Sequence, residues 1–530
     1  LAATDHSHRN RLSVNTAIFA AATALSRVVG LIREIIANYL FGTSVRASAF
    51  TVASQIPNLM SNLFAQAALS AAFVPVFTDL LQQGRKREAF KLATTLFWIV
   101  VLVLGSITIV GILLAALILP RLSGASFDGH AAAVMTEVMF PVVLFLGLAG
   151  VFTGILQSYD EFSLPALAPV VWNIVIIALT FALHDSFGKN GVYAYAIAWT
   201  IATVVQFLLI TSALRRIDYR LSFEIDWHDP RIRQVFSLML PVTLGLGIIN
   251  LDALINSTMG ALVHTAPLPG AGPRAIQDAF LLYMLPQGVF SVAVSTVLFP
   301  TLSRQAARRA PAEMRTTIGN GMRQINLLLI PSAAGMLALA TPITRLVFEH
   351  GAFHAESLFL TSKALFWFAF SLPFAGLNLL MTRTFFALQR PWLPTKLAAL
   401  NMTVDVIVSL ALYKPLGIAG LVIGTASANI VMVALQLRRL RIGFNGRLDL
   451  DQTIMITARI LVVSAVTGAL ARLVWELLNG IVGLSLPGQI FSVGGAVLAG
   501  GGFYAWAISR MRVPEWQQIE SMLLRRLRPR

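Results

Sequence analysis

The chain has 530 residues and a formal net charge of +16, and it is 57% hydrophobic but only 12% charged, about half the ~25% charged fraction of a soluble domain. It contains no cysteine, which excludes disulfides, thiolate metal sites and cysteine nucleophiles. Long apolar runs recur from end to end, so the expected class is an all-α polytopic membrane protein, its positive charge lying in cytoplasmic loops rather than at a nucleic-acid interface.

In chain order, residues 1–14 read as a polar cytoplasmic tail. The first apolar run is too long for a signal-peptide core and lacks a cleavage site. Membrane spans are predicted at 15–40, 48–80, 92–119, 132–157, 165–184, 191–213, 236–263, 277–303, 318–347, 357–388, 394–412, 417–437, 454–478 and 487–509. Each of these fourteen is long enough to cross roughly 30 Å of hydrocarbon. The first carries Arg27, Arg33 and Glu34 inside its apolar run. A charge at mid-bilayer costs roughly 2.5–3.5 kcal/mol even on the lenient insertion scale, and such charges usually face a watery cavity or a partner. Ser26, Arg33 and Glu34 come round to one polar side of this helix, and Arg27 and Glu34 are two turns apart.

The loops give the orientation. Numbered alternately from an inside start, the inside gaps hold the basic clusters at 85–91, 215–233, 304–315, 438–447 and 510–530, whereas the outside gaps hold only Arg46, Arg121, Lys189, Arg274 and Lys414. That asymmetry puts both termini in the cytoplasm. In the tail, Trp516, Ile519, Met522, Leu523 and Leu527 share one helical face with arginines elsewhere, as in a helix lying on an anionic inner leaflet.

The chain also repeats itself weakly, in order. Gly191-Val-Tyr-Ala-Tyr-Ala-Ile-Ala leading to Arg215-Arg216 parallels Gly417-Ile-Ala-Gly-Leu-Val-Ile-Gly leading to Arg438-Arg439. Pro57 and Pro75 occupy stretches that parallel Pro286 and Pro300. Helices 1–6 and 7–12 therefore read as two six-helix lobes of like orientation related by a pseudo-twofold axis, with two C-terminal helices added. The expected division is 1–14 tail, 15–216 N-lobe, 217–235 cytoplasmic linker, 236–440 C-lobe, 441–509 the two added helices and 510–530 a basic amphipathic tail. The prolines bend these helices, either for gating or as fixed curvature.

Ser26-Arg-Val-Val-Gly-Leu-Ile-Arg-Glu, Ile56-Pro-Asn-Leu, Phe64-Ala-Gln-Ala-Ala-Leu-Ser-Ala-Ala-Phe-Val-Pro, Leu285-Pro-Gln-Gly-Val-Phe, Leu298-Phe-Pro-Thr-Leu-Ser-Arg, Val347-Phe-Glu-His-Gly-Ala-Phe and Arg383-Thr-Phe-Phe-Ala-Leu-Gln closely resemble, in order and over nearly the whole chain, the MurJ/MviN lipid II flippases. The resemblance implies the fourteen-helix fold of the MATE/polysaccharide-exporter superfamily and a polyprenyl-tail groove beside helices 13 and 14. It also implies movement of lipid-linked peptidoglycan precursor between leaflets of a bacterial cytoplasmic membrane by alternating access. The implied partners are lipid II, membrane lipids and the cell-wall synthesis machinery, around a monomer, with no nucleic acid. Glu34 stands where the family usually has Asp. Ser48, Ser61-Asn62 and Gln66 replace charged residues, and Leu281 takes the place of an eighth-helix Arg.

For a pyrophosphate-linked cargo, guanidinium is the suitable partner, being always charged and able to bond phosphate oxygens bidentately. Arg27 and Arg33 match the family's first-helix arginines and are the first candidates, the alternative being that they only brace the bundle. Ser26 joins them, and Glu34 reads as their counter-charge. Asp252 either pairs with Arg27 or Arg33 or has a structural partner elsewhere. Arg383 serves the headgroup or a gate, or snorkels to the interface; Lys363 and Asp405 are similar. Neither a His-Glu-x-x-His nor a Walker loop occurs, so a transporter without metal or cofactor is expected rather than an enzyme. Two rivals are an exporter of another polyprenyl-linked glycan or amphiphile, and a non-transporting scaffold derived from a flippase.

Overall fold

The computed structural model describes residues 2–64, 67–123, 127–159, 161, 163–217, 226–227, 229–263, 268–390, 392–446, 448, 450–511 and 513–517, though not every side chain among them. It is 91% helix, as hydrocarbon demands of a chain whose backbone groups must be satisfied within each spanning segment. The helices are α1 (Ala2–Phe41), α2 (Val45–Phe64), α3 (Ala67–Gln82), α4 (Lys86–Ile118), α5 (Gly129–Met139), α6 (Pro141–Ser158), α7 (Ser163–Phe187), α8 (Gly191–Leu214) and α9 (Pro230–Leu262). They continue with α10 (Gly272–Pro286), α11 (Val292–Ala307), α12 (Pro311–Phe348), α13 (Ala355–Ala387), α14 (Trp392–Leu416), α15 (Ile418–Gly443), α16 (Leu450–Val482) and α17 (Leu486–Arg510). Among the described residues, eleven segments are long and apolar enough to cross a membrane. The other three expected spans, 15–40, 48–80 and 236–263, fall on α1, on α2 with α3, and on α9.

The expected span 48–80 carries α2 up to Phe64 and α3 from Ala67, each with an internal proline, and the two residues between them lie outside the described residues. The stretch 277–303 ends its first helix at Pro286, passes through a π-turn at Gln287–Ser291 and resumes as α11. A proline lacks the N–H that would continue the ladder, and the wider turn absorbs the mismatch. The span at 132–157 likewise becomes α5 and α6, with Pro141 opening the second. At the N-terminus, α1 begins at Ala2, inside the stretch read as a tail.

The helices cluster into two units. One comprises residues 1–262 and 269–274, the other 263–268 and 275–530. By contacts α9 therefore goes with the first unit, whereas the repeat assigns it to the second copy; clustering reports packing and the repeat reports chain order. Within the first unit one core is built by α3, α4 and α6 around Phe73, Phe77, Leu92, Leu96 and Ile155. A second is built by α2, α5 and α8 around Ala49, Phe50, Ala132, Met135 and Ala202. The alanines suit a bilayer, where close backbone approach and dispersion replace the hydrophobic effect between helices. Within the second unit, α14 and α15 pack so closely that a Cβ on Gly420 would lie 2.3 Å from the Leu412 carbonyl oxygen, and α12, α16 and α17 share Leu327, Ile460, Tyr504 and Ile508.

The tail differs in part from the expected surface helix. Val513 is buried in the α12–α16–α17 core, and buried Glu515 pairs with buried Arg323 of α12. Residues 518–530, residues 218–225 and 228 of the 217–235 linker, Gln66 and the side chains at 61–62 lie outside the described residues.

Candidate functional site

The polar face of α1 meets side chains from α7, from α8 and from the first turn of α10. Glu34 and Asn38 lie one turn apart on that face, and Asn38 is fully buried. The Arg33 guanidinium donates through Nη2 to Glu34 Oε1 at 2.5 Å. Arg274, in the first turn of α10, donates through Nη2 to Glu34 Oε2 at 3.0 Å and through Nε to Asn38 Oδ1 at 3.2 Å. The side chains of Arg33, Glu34 and Arg274 are 11%, 13% and 5% exposed. One carboxylate thus serves two guanidiniums, an oxygen for each.

Local sequence places each member. Gly272 opens α10 where a Cβ would lie 2.3 Å from the Gly260 carbonyl oxygen. A backbone atom cannot move aside as a side chain can, so only glycine lets the start of α10 approach the end of α9, and Arg274 follows two residues later. Arg33 is held between two indoles: its Cζ lies 4.9 Å from the Trp172 ring centre and 4.7 Å from that of Trp199. The indoles meet edge to face at 4.8 Å, and Trp172 Nε1 donates to Thr203 Oγ1 at 3.0 Å. The electron-rich ring faces stabilise a cation that the bilayer interior otherwise penalises. Arg33 Nε is buried with no acceptor among the described residues, so one donor of the site remains unused.

Of the residues predicted from sequence, Arg33 and Glu34 are therefore joined, and the carboxylate partner of Arg33 is Glu34 rather than Asp252. Ser26 is half-buried and Arg27 exposed, about two turns nearer the start of α1. Asp252 is half-buried on α9, with Asn256 Nδ2 3.5 Å from its Oδ2. Arg383, in the second unit, is exposed with its guanidinium 5.7 Å from the Phe299 ring centre. Arg274 was missed: it reads as an outer-loop residue after Pro267-Leu-Pro-Gly-Ala-Gly-Pro. Its signal was the spacing to Leu281, seven residues or two helical turns on. Arg274 and Leu281 thus lie along the same face of α10.

A second polar cluster lies in the second unit. Buried Asp405 of α14 accepts from Ser409 at 3.1 Å and from Thr425 of α15 at 3.2 Å, while Ser409 Oγ lies 3.3 Å from the Leu421 carbonyl oxygen.

Comparisons with known proteins agree over most of the chain. A family model described as lipid II flippase MurJ matches residues 37–491. A lipid II flippase MurJ of Burkholderia cenocepacia is 31% identical, covering 79% of this chain and 82% of its own. A probable lipid II flippase MurJ of Vibrio cholerae is 27% identical over 88% of this chain and 89% of its own. Among solved structures, a lipid II flippase MurJ in an inward closed conformation superposes with a TM-score of 0.76 at 22% identity, covering 93% of this chain and 99% of that one. An inward-facing multidrug resistance MATE transporter superposes at 0.67 with 16% identity over 81% of this chain and 98% of that one. The last two likenesses establish the fold.

Proposed function

The chain belongs to the lipid II flippase MurJ family, and we propose that the Arg33–Glu34–Arg274 cluster is where it takes hold of its cargo. It is a multi-pass inner-membrane transporter, not an enzyme, and it translocates lipid II between leaflets by alternating access. The observation that carries the site is the sharing of Glu34 by two buried guanidiniums. An anionic pyrophosphate headgroup competes with Glu34 for the same donors and gains the unused Arg33 Nε–H. Charge-assisted bonds of this kind are about twice as strong as neutral ones. Arg27 and Ser26 extend the polar face along α1 as a first point of contact. Asp252 and Arg383 are auxiliary charges in this reading.

The finer topology belongs to the same proposal. Fourteen spans with both termini inside are supported by the basic-loop asymmetry, and two six-helix repeats by the parallel placing of Pro57 and Pro75 with Pro286 and Pro300; a monomer working beside the cell-wall machinery completes the proposal.

The experiment compares lipid II binding and cell-wall complementation for Arg33→Ala, Arg274→Ala and Arg33→Lys. Both alanine variants are expected to weaken binding tenfold or more. Arg33→Lys, which keeps the charge but loses the planar stack and the fork of donors, should be intermediate. Wild-type binding by both alanine variants, each folded, would overturn the assignment and leave the cluster as a brace.

A further inference from the structure

Within the first unit, α2, α4 and the last turns of α9 do not close on one another. They leave a cavity of about 520 Å³, walled by Ile56 and Met60 of α2, Ile107 and Leu114 of α4, Phe140 at the α5–α6 junction and Leu254 of α9. Ser106 is the one hydroxyl among its lining residues, and none of them is charged. A space so lined does not hold ordered water, which needs two to four polar partners. Left empty, it would deprive every lining atom of its dispersion contacts on one side.

The shape of the surroundings says what fills it. The α4 lining residues Val110, Leu114 and Ile118 are each about half exposed, and Ile109, Leu113 and Leu117 beside them are more so or equally so. The cavity is therefore continuous with the apolar face that a spanning helix turns to hydrocarbon. Along α4 its lining runs from Ser106 to Leu119, about 20 Å at 1.5 Å per residue. That is a slot rather than a round pocket, and its long axis follows a helix that crosses the bilayer. The rise per residue makes it longer than one leaflet's share of a ~30 Å hydrocarbon core.

We propose that this slot seats one acyl chain of a bilayer phospholipid, lying along α4 as a wedge between α4 and α9. The lining offers no cation or donor pair to select a headgroup, which favours a chain drawn from the bulk lipid over the tail of the transported precursor. The lipid then completes the packing of the first unit in place of missing side chains, so the seating of α9 depends on it. The inference uses the membrane location of the chain and is independent of the headgroup site.

The test uses the full chain in nanodiscs of phosphatidylethanolamine and phosphatidylglycerol containing a phosphatidylglycerol with a diazirine midway along one acyl chain. After photolysis, adducts are mapped by peptide mass spectrometry. Adducts at residues 106–119 or at Leu254 should exceed those at the exposed reference residues Leu461 and Val462 of α16 at least threefold. Ile107→Trp and Leu254→Trp each put an indole across the slot, and each should cut the α4 adducts at least fivefold without changing the reference. As a second readout, delipidation should lower the melting temperature of the wild type more than that of either filled variant. Labelling of α4 no greater than the reference, labelling unchanged in a folded filled variant, or labelling by a diazirine-bearing polyprenyl phosphate but not by the phospholipid would each overturn the proposal.

Discussion

Glu34 serves two guanidiniums at once. Its two oxygens compensate two guanidiniums that are each less than one-eighth exposed. Breaking a buried ion pair by removing one partner typically costs about 3–5 kcal/mol, because the surviving charge stays buried. Glu34→Gln removes the carboxylate from both guanidiniums and should lower unfolding stability by about 3 kcal/mol, whereas Arg274→Leu keeps the Arg33–Glu34 pair and should cost about half as much; thermal unfolding in detergent separates the two. Equal losses would mean that Arg274 is as indispensable to the fold as the carboxylate. Trp199→Leu removes one aromatic face from Arg33 and should cost about 1–2 kcal/mol beyond the lost packing, read by a double-mutant cycle with Arg33→Leu. The sequence pointed to Arg33 and Glu34 because charges in an apolar run are conspicuous. It did not point to the indoles, since a tryptophan in a spanning helix looks the same whether it meets lipid or a cation. Arg274 was hidden by its neighbours: three prolines and two glycines just before it read as loop, and the burial of a helix's first turn is a tertiary fact.

At the scale of the element, helix existence was legible and helix continuity was not. An apolar run of twenty residues looks the same whether it is one helix or two, and Pro286 marks a bend without stating that a π-turn follows. The glycines make the point sharply. In α17 a Cβ on Gly494, Gly501 or Gly502 would meet nothing within 4 Å, whereas one on Gly495 would lie 2.6 Å from Leu478 Cδ1 and one on Gly500 3.2 Å from Ala471 Cβ. In α15 a Cβ on Gly420 would lie 2.3 Å from the Leu412 carbonyl oxygen, and one on Gly424 2.1 Å from Ser409 Oγ. Gly420→Ala should therefore force α14 and α15 apart and destabilise the second unit by about 1–3 kcal/mol, the usual range for overpacking. Gly502→Ala should be neutral or stabilising by about 0.5–1 kcal/mol through backbone entropy. Unfolding midpoints of the two variants should move in opposite directions or differ clearly; equal shifts would mean that the α14–α15 contact relaxes freely.

For the whole molecule, loop charge supports the topology proposed above. Eleven segments qualify as spans by length and composition among the described residues, and the other three expected spans fall on α1, on α2 with α3, and on α9, parts of which lie outside the described residues and side chains. Moving Arg274 from an outer loop to a buried site makes the outside poorer still in basic residues and strengthens the positive-inside argument. The absence of native cysteine permits a direct test by single-cysteine labelling without background. Gln83, Arg308 and Arg441 are exposed beyond the ends of α3, α11 and α15 or in the last turn, and Asp185 and Lys414 are exposed at the opposite ends of α7 and α14. With fourteen spans and an inside N-terminus, an impermeant maleimide should label Asp185→Cys and Lys414→Cys in cells whose outer membrane alone is permeabilised. Gln83→Cys, Arg308→Cys and Arg441→Cys should label only once the cytoplasmic membrane is breached. Because α1, the α2–α3 pair and α9 each reverse every site that follows them, a miscounted span shows as a switch in sidedness between two neighbouring positions, and the place of the switch identifies the segment.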